Sequence, residues 1–109
     1  MAETFKSLTV DAGTAMADLI PTVAAGTTVI VLSCRATNIH ATLDATVSAE
    51  VTDGSSKNGY IAFTLPVPNT SSVELAGNSK IVLQTGDKLQ GLAAVASTIE
   101  YVISYLEMT

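Results

Sequence analysis

The sequence contains no tryptophan, one cysteine, one histidine and three prolines in 109 residues, and it sets only 5 lysines and arginines against 10 aspartates and glutamates. Each shortage closes off a class of chemistry. Cys34 has no second cysteine for an internal disulfide, and Cys34 and His40 are too few to complete a transition-metal site. A net charge of −5 with no basic cluster argues against a surface that neutralises nucleic-acid phosphates. Two Phe and three Tyr are too few for a platform of stacked rings against sugars. No run of about 18 apolar residues occurs, so no membrane-spanning helix is expected. The amino terminus, MAETFKSLTV, lacks the basic-then-apolar order of a secretion signal, which predicts a soluble chain made in the cytosol.

What is present is apolar and short. Charged residues make up 14%, against a usual share of about 25%. Hydrophobic residues reach 48%, and the mean hydropathy is +0.43. The polar surface therefore comes from Ser, Thr and Asn, and part of the surface is expected to be covered by other subunits. The length suits a single domain over residues 1–109 with a core that needs no disulfide or metal.

The clearest pattern is TLDATVSAEVTD, Thr42 to Asp53. Leu43, Ala45, Val47, Ala49 and Val51 alternate with Thr42, Asp44, Thr46, Ser48, Glu50 and Thr52. This period of two belongs to a strand with one face in a core and one in water. Such clean alternation favours antiparallel pairing, because parallel strands are usually buried on both faces.

Around this strand the chain reads as further short strands between turns. Thr4 to Val10 closes at Asp11-Ala12-Gly13. Met16 to Val23 carries Pro21, which belongs on an edge or at a bend. In Thr27 to Thr37 the core set is expected to be Thr28, Ile30, Leu32 and Cys34. Tyr60 to Leu65 should turn Ile61, Phe63 and Leu65 inward before Pro66-Val67-Pro68 stops the ladder. Ser72 to Leu75 and Lys80 to Gln84 flank a turn at Ala76-Gly77-Asn78. Lys88 to Leu92 follows the turn Thr85-Gly86-Asp87. The last strand, Thr98 to Met108, presents Ile99, Tyr101, Ile103 and Tyr105 on one face and Val102 and Leu106 on the other, so it is central or lies at an interface. Eight or nine such strands without a convincing helix predict an all-β antiparallel β-sandwich, jelly-roll-like, with Leu43, Val47, Val51, Ile30, Leu32, Ile61 and Phe63 in one core.

No catalytic pattern emerges. His40 reads as a turn residue, and Asp53 and Asp87 as caps of their own turns. The seven glycines form neither GxGxxG nor a phosphate-binding loop. Asn69-Thr70-Ser71 matches a glycosylation acceptor but reads as a turn. Cys34 reads as a small buried hydrophobe. The chain is not expected to be an enzyme, and no cofactor is expected. Tyr60, Tyr101 and Tyr105 are the aromatic surface candidates, with core packing as the competing reading. Because the last strand is apolar on both sides, Tyr101, Val102, Tyr105 and Leu106 are the expected interface residues.

One combination is more distinctive than its pieces. The runs AAGTTVIVLSCRATN, TVSAEVTDGSS, LPVPNTSSVELAGNSKIVLQTGDKLQGLA and IEYVISYLEMT stand in an order that resembles a group of small tailed-bacteriophage virion proteins, over roughly residues 24 to 109. The resemblance implies a β-sandwich structural protein of the virion, similar to capsid decoration or cement proteins that staple neighbouring major capsid subunits. It implies a homo-oligomer whose partners are the major capsid protein or other virion proteins, and neither nucleic acid nor a membrane. A neck, tail, baseplate or fibre component in contact with a host receptor or glycan is the alternative.

Folding without a metal has a direct check. Elemental analysis of the purified protein should find no stoichiometric transition metal, and a chelator should leave the melting temperature unchanged; a large drop would mean that His40 and the loop aspartates were misread.

Overall fold

Nine strands account for all the regular structure in the computed structural model, which describes residues 2–76 and 79–109. They are β1 (Glu3–Asp11), β2 (Ala17–Ile20), β3 (Thr28–Asn38), β4 (Ala45–Thr52), β5 (Asn58–Val67), β6 (Ser72–Glu74), β7 (Ile81–Leu83), β8 (Lys88–Ala93) and β9 (Ile99–Met108). One sheet runs β1-β9-β3-β6, with β7 also paired to β3, and the other runs β2-β8-β4-β5. Every pairing is antiparallel. The fold is therefore an all-β sandwich of two antiparallel sheets. The turn expected at Ala76-Gly77-Asn78 lies, beyond Ala76, outside the described residues.

The core sits between the inner faces. From the first sheet come Val29, Val31, Ile99, Tyr101 and Ile103; from the second come Leu19, Val47, Val67 and Leu89. Tyr101 spans the gap, and its hydroxyl donates to the Leu92 carbonyl at 2.9 Å. The ring needs Gly91 beneath it. A β-carbon at Gly91 would lie 2.8 Å from Leu19 Cδ1 and 3.1 Å from the end of the Tyr101 ring. Asn38 is fully buried, and its amide is satisfied on both sides. Nδ2 donates to the carbonyls of Leu43 and Val67, while Oδ1 accepts from the His40 amide.

The strand reading holds, while bulges correct the assignment of faces. Along β3 the register slips between Val31 and Ser33. An extra residue in one strand of a ladder reverses which side chains point inward. Before the slip the core set is therefore Val29 and Val31, and after it Cys34, Ala36 and Asn38. Cys34 faces the core as expected, whereas Ile30 and Leu32 are only half-buried. In β5 the register slips twice against β4, between the partners of Val47 and Ala49 and again before Glu50. Ile61 stays half-buried against the core, but Phe63 is 66% exposed. Leu43 is also exposed, because it belongs to the His40 turn and not to the ladder: its amide donates to His40 Nδ1. Val47 is fully buried, and Val51 packs against the core.

The prolines fall where missing donors do least harm. β2 ends one residue before Pro21. Pro66 does not stop β5, which continues to Val67 with Pro66 opposite Thr46. β5 is an edge strand, where one side of the backbone has no ladder to lose.

Two substitutions probe this core. Val47→Ala should lower the unfolding free energy by about 1 to 3 kcal/mol through lost burial and a residual cavity. Gly91→Ala should cost about 1 to 3 kcal/mol by overpacking beneath Tyr101. Urea titration would measure both, with the denaturant slope expected to stay unchanged.

Candidate interaction surface

The polar residues with chemical potential are engaged in holding turns. His40 Nδ1 accepts from the amides of Thr42 at 3.1 Å and Leu43 at 3.0 Å, which puts the ring proton on Nε2. Asp53 Oδ1 accepts from the amides of Ser55 and Lys57, and these bonds hold its carboxyl below the usual carboxylate range. Asp87 Oδ2 accepts from the Gln84 amide at 2.9 Å and pairs with Lys57 Nζ at 2.7 Å, linking the β4–β5 loop to the β7–β8 turn. Both aspartates cap their own turns, as the sequence implied. Among the described residues no three His, Cys, Asp or Glu side chains are grouped to hold a metal ion.

Cys34 has no accessible surface. Desolvation, with a smaller contribution from nearby Glu74, pushes its thiol up to about 12. The Glu74 carboxylate accepts the Cys34 amide at 2.7 Å and the Ala76 amide at 3.2 Å, closing the end of β6 onto β3. A cleft of about 330 Å³ is lined by Ala12, Ile39, Ala96, Ser97 and Ile99 together with Asp11 and Glu100.

The outward face of the first sheet offers more. β9 lies between β1 and β3, so alternation sends Ile99, Tyr101, Ile103 and Tyr105 into the core and Val102 and Leu106 outward. Of the four residues expected at an interface, Tyr101 and Tyr105 are thus buried at 0% and 8% exposure. Val102 and Leu106 remain on the outer face. Register then adds residues that the sequence had not grouped. Phe5 stands opposite Leu106, Leu106 opposite Ile30, and Ile30 opposite Val82. These four make one apolar row across β1, β9, β3 and β7. Phe5 is 75% exposed and Val82 50%, with Ile30 and Leu106 half-buried. Three serines, Ser7, Ser104 and Ser33, form the next row, followed by Thr9, Val102 and Arg35.

A second exposed group lies on the other sheet. Tyr60 faces outward opposite Glu50, and its ring meets Phe63 edge to face with centroids 4.9 Å apart. Residues three apart on a regular strand point to opposite sides. The extra residues in β5 bring these two together. Nearby, Thr64 has a φ of 46°, which is strained for a β-branched residue, and its amide is held by Ser48 Oγ at 2.9 Å. Strict alternation had turned Phe63 inward, so this pair could be found only from the bulged register.

No protein-family model and no curated protein matches the chain. Its fold is similar to two crystal structures of a pentameric capsid protein isolated from metagenomic phage sequences, one of them solved by iodide phasing. Each matches with a TM-score of 0.52 and 18% sequence identity over 90% of this chain. The chain spans only 59% and 60% of the length of those two proteins. At that identity the likeness is one of fold.

The inertness of Cys34 can be measured. At mildly alkaline pH a thiol reagent should label it only after unfolding. Because the folded thiol holds its proton more tightly than the free one, its contribution to stability is full below the ordinary thiol value and declines as pH rises towards about 12. Fast labelling of the native protein would contradict the burial.

Proposed function

We propose that this chain is a structural component of a bacteriophage virion, and within that class a decoration or cement protein that binds the capsid surface and bridges neighbouring major capsid subunits. The observation that carries the reading is the apolar row on the outward face of the first sheet, Phe5, Leu106, Ile30 and Val82, with Val102 on the same face beyond a row of serines. A cross-strand apolar row spanning the width of a sheet is a place for another protein surface. Supporting the reading are the similarity of the fold to a phage capsid protein and the sheet orders β1-β9-β3-β6 and β2-β8-β4-β5, with β6 and β7 sharing one position, which favour a jelly-roll reading, an architecture used by viral shells. The pentameric state of those structures supports an assembly of several copies. The scarcity of charge supports contacts that are mainly apolar and hydrogen-bonded.

A protein that binds only the assembled shell stabilises it by mass action, by about 2.7 kcal/mol per site at a hundredfold excess over the dissociation constant. Many symmetric copies multiply a modest contact.

The test is to strip the protein from particles, or omit its gene, and measure the temperature or osmotic stress at which they release their contents. Particles lacking it should fail earlier, and re-added protein should rebind in about 1 M salt, where the screening length is about 3 Å. Particles equally robust without it, yet unable to adsorb to host cells, would replace cementing with a receptor-binding role.

A further inference from the structure

The two exposed apolar groups lie on opposite outer faces of the sandwich, so no single copy can cover one with the other. We infer that the occupant of the first sheet's apolar row is a second copy of this chain, docked head to tail by its Tyr60–Phe63 pair. The inference rests on the multi-copy virion reading above and names the partner of that surface.

Charge decides between head-to-tail and face-to-face contact. The register puts Glu3, Asp11, Glu74 and Glu100 on the same outer face as the apolar row, with Arg35, directly opposite Glu74, as the one cation within the paired strands. Two copies joined by this face alone would set a net-acidic face, with Glu3, Asp11 and Glu100 unpaired by any cation among the described residues, against itself, a like-charge juxtaposition that opposes association. The outer face of the second sheet is better matched. Its Asp18 is already occupied, by Lys88 at 3.9 Å and by Gln90 Nε2 at 3.1 Å. Glu50 beside Tyr60 has no ion-pair partner among the described residues, and neither does Arg35. Head-to-tail docking therefore gives the lone arginine of one face the free carboxylate of the other.

Shape points the same way. The row crosses three strand spacings of about 4.8 Å and offers a shallow, uncharged strip about 14 Å long. The aromatic pair projects from β5, which carries no charged residue between Asn58 and Val67. Edge strands are commonly protected by charge, and this one is interrupted only by its bulges and by Pro66. The bulges break up the backbone edge against strand addition while setting two rings side by side. Rings held in this way act as anchors for a protein partner. A heterologous contact repeated from copy to copy closes into a ring when the rotation allows it.

Sedimentation velocity of single and mixed variants tests this. Phe5→Asp disables one face and Phe63→Asp the other; both side chains are exposed, and circular dichroism with thermal melting checks that each variant is folded. Wild type should form species larger than a dimer. Each variant alone should sediment as a monomer. Their equimolar mixture should form a dimer, because one intact face of each kind remains. Val82→Asp and Tyr60→Asp should repeat the pattern. The inference is overturned if wild type is monomeric at every concentration, if the mixture stays monomeric, or if Phe63→Asp keeps the wild-type size while Phe5→Asp dissociates, which would mean a face-to-face pair. Co-sedimentation with particles separates the two claims. A wild type that binds particles as a monomer overturns only the head-to-tail contact, and an oligomer that never binds particles overturns only the virion role.

Discussion

The hydroxyl of Tyr101 donates across the sandwich to the Leu92 carbonyl, and much of the interior is arranged around that bond. A phenol in an apolar core must find an acceptor, because leaving its hydroxyl unpaired there costs several times the net worth of an ordinary hydrogen bond. Reaching the opposite sheet requires the ring to pass over a backbone without a β-carbon, which places Gly91 in the middle of β8. Burial of the ring raises the phenol's pKa and keeps it a donor at all ordinary pH. This bond ties β9 to β8 across the core, on the face where alternation also buries Ile99, Ile103 and Tyr105. The even residues, Val102 and Leu106 among them, are turned outward as a consequence.

Bulges are the second organising device. The slip in β3 lets one long strand serve two stretches of core with opposite phases, Val29 and Val31 before it and Cys34 and Ala36 after it. A similar irregularity in β2 buries both Leu19 and Ile20, which a flat strand would split between faces. The slips in β5 do the reverse and bring Tyr60 and Phe63 together in solvent. The strain at Thr64 sits beside that pair and is held by a side-chain bond from the neighbouring strand. Local departures from alternation therefore fill the interior in one place and shape the exterior in another.

The exterior also explains the unusual composition. Few charges are spent inside: Asp87, with its carboxylate bonded to Lys57 and to the Gln84 amide, is the one charged residue in the buried class among the described residues. The apolar excess beyond what the core needs appears as two outward groups, on faces that also carry acidic residues. Net charge of one sign favours solubility, and exposed apolar groups of this kind are where another surface can dock.

By itself the sequence determined the class of the fold. The alternation in Ala45 to Val51 and in Ile99 to Tyr105, with turn residues between strands, was legible because side-chain period and turn chemistry are local properties. The roles of Asp53, Asp87 and Cys34 were legible for the same reason. Tertiary structure alone decided which face of β3 is buried and that Phe63 is exposed, since a single extra residue in a ladder inverts every assignment beyond it and leaves no mark in composition. It also decided the surface. Phe5, Ile30, Val82 and Leu106 are scattered over more than 100 positions, and they form a row only because three antiparallel registers align them.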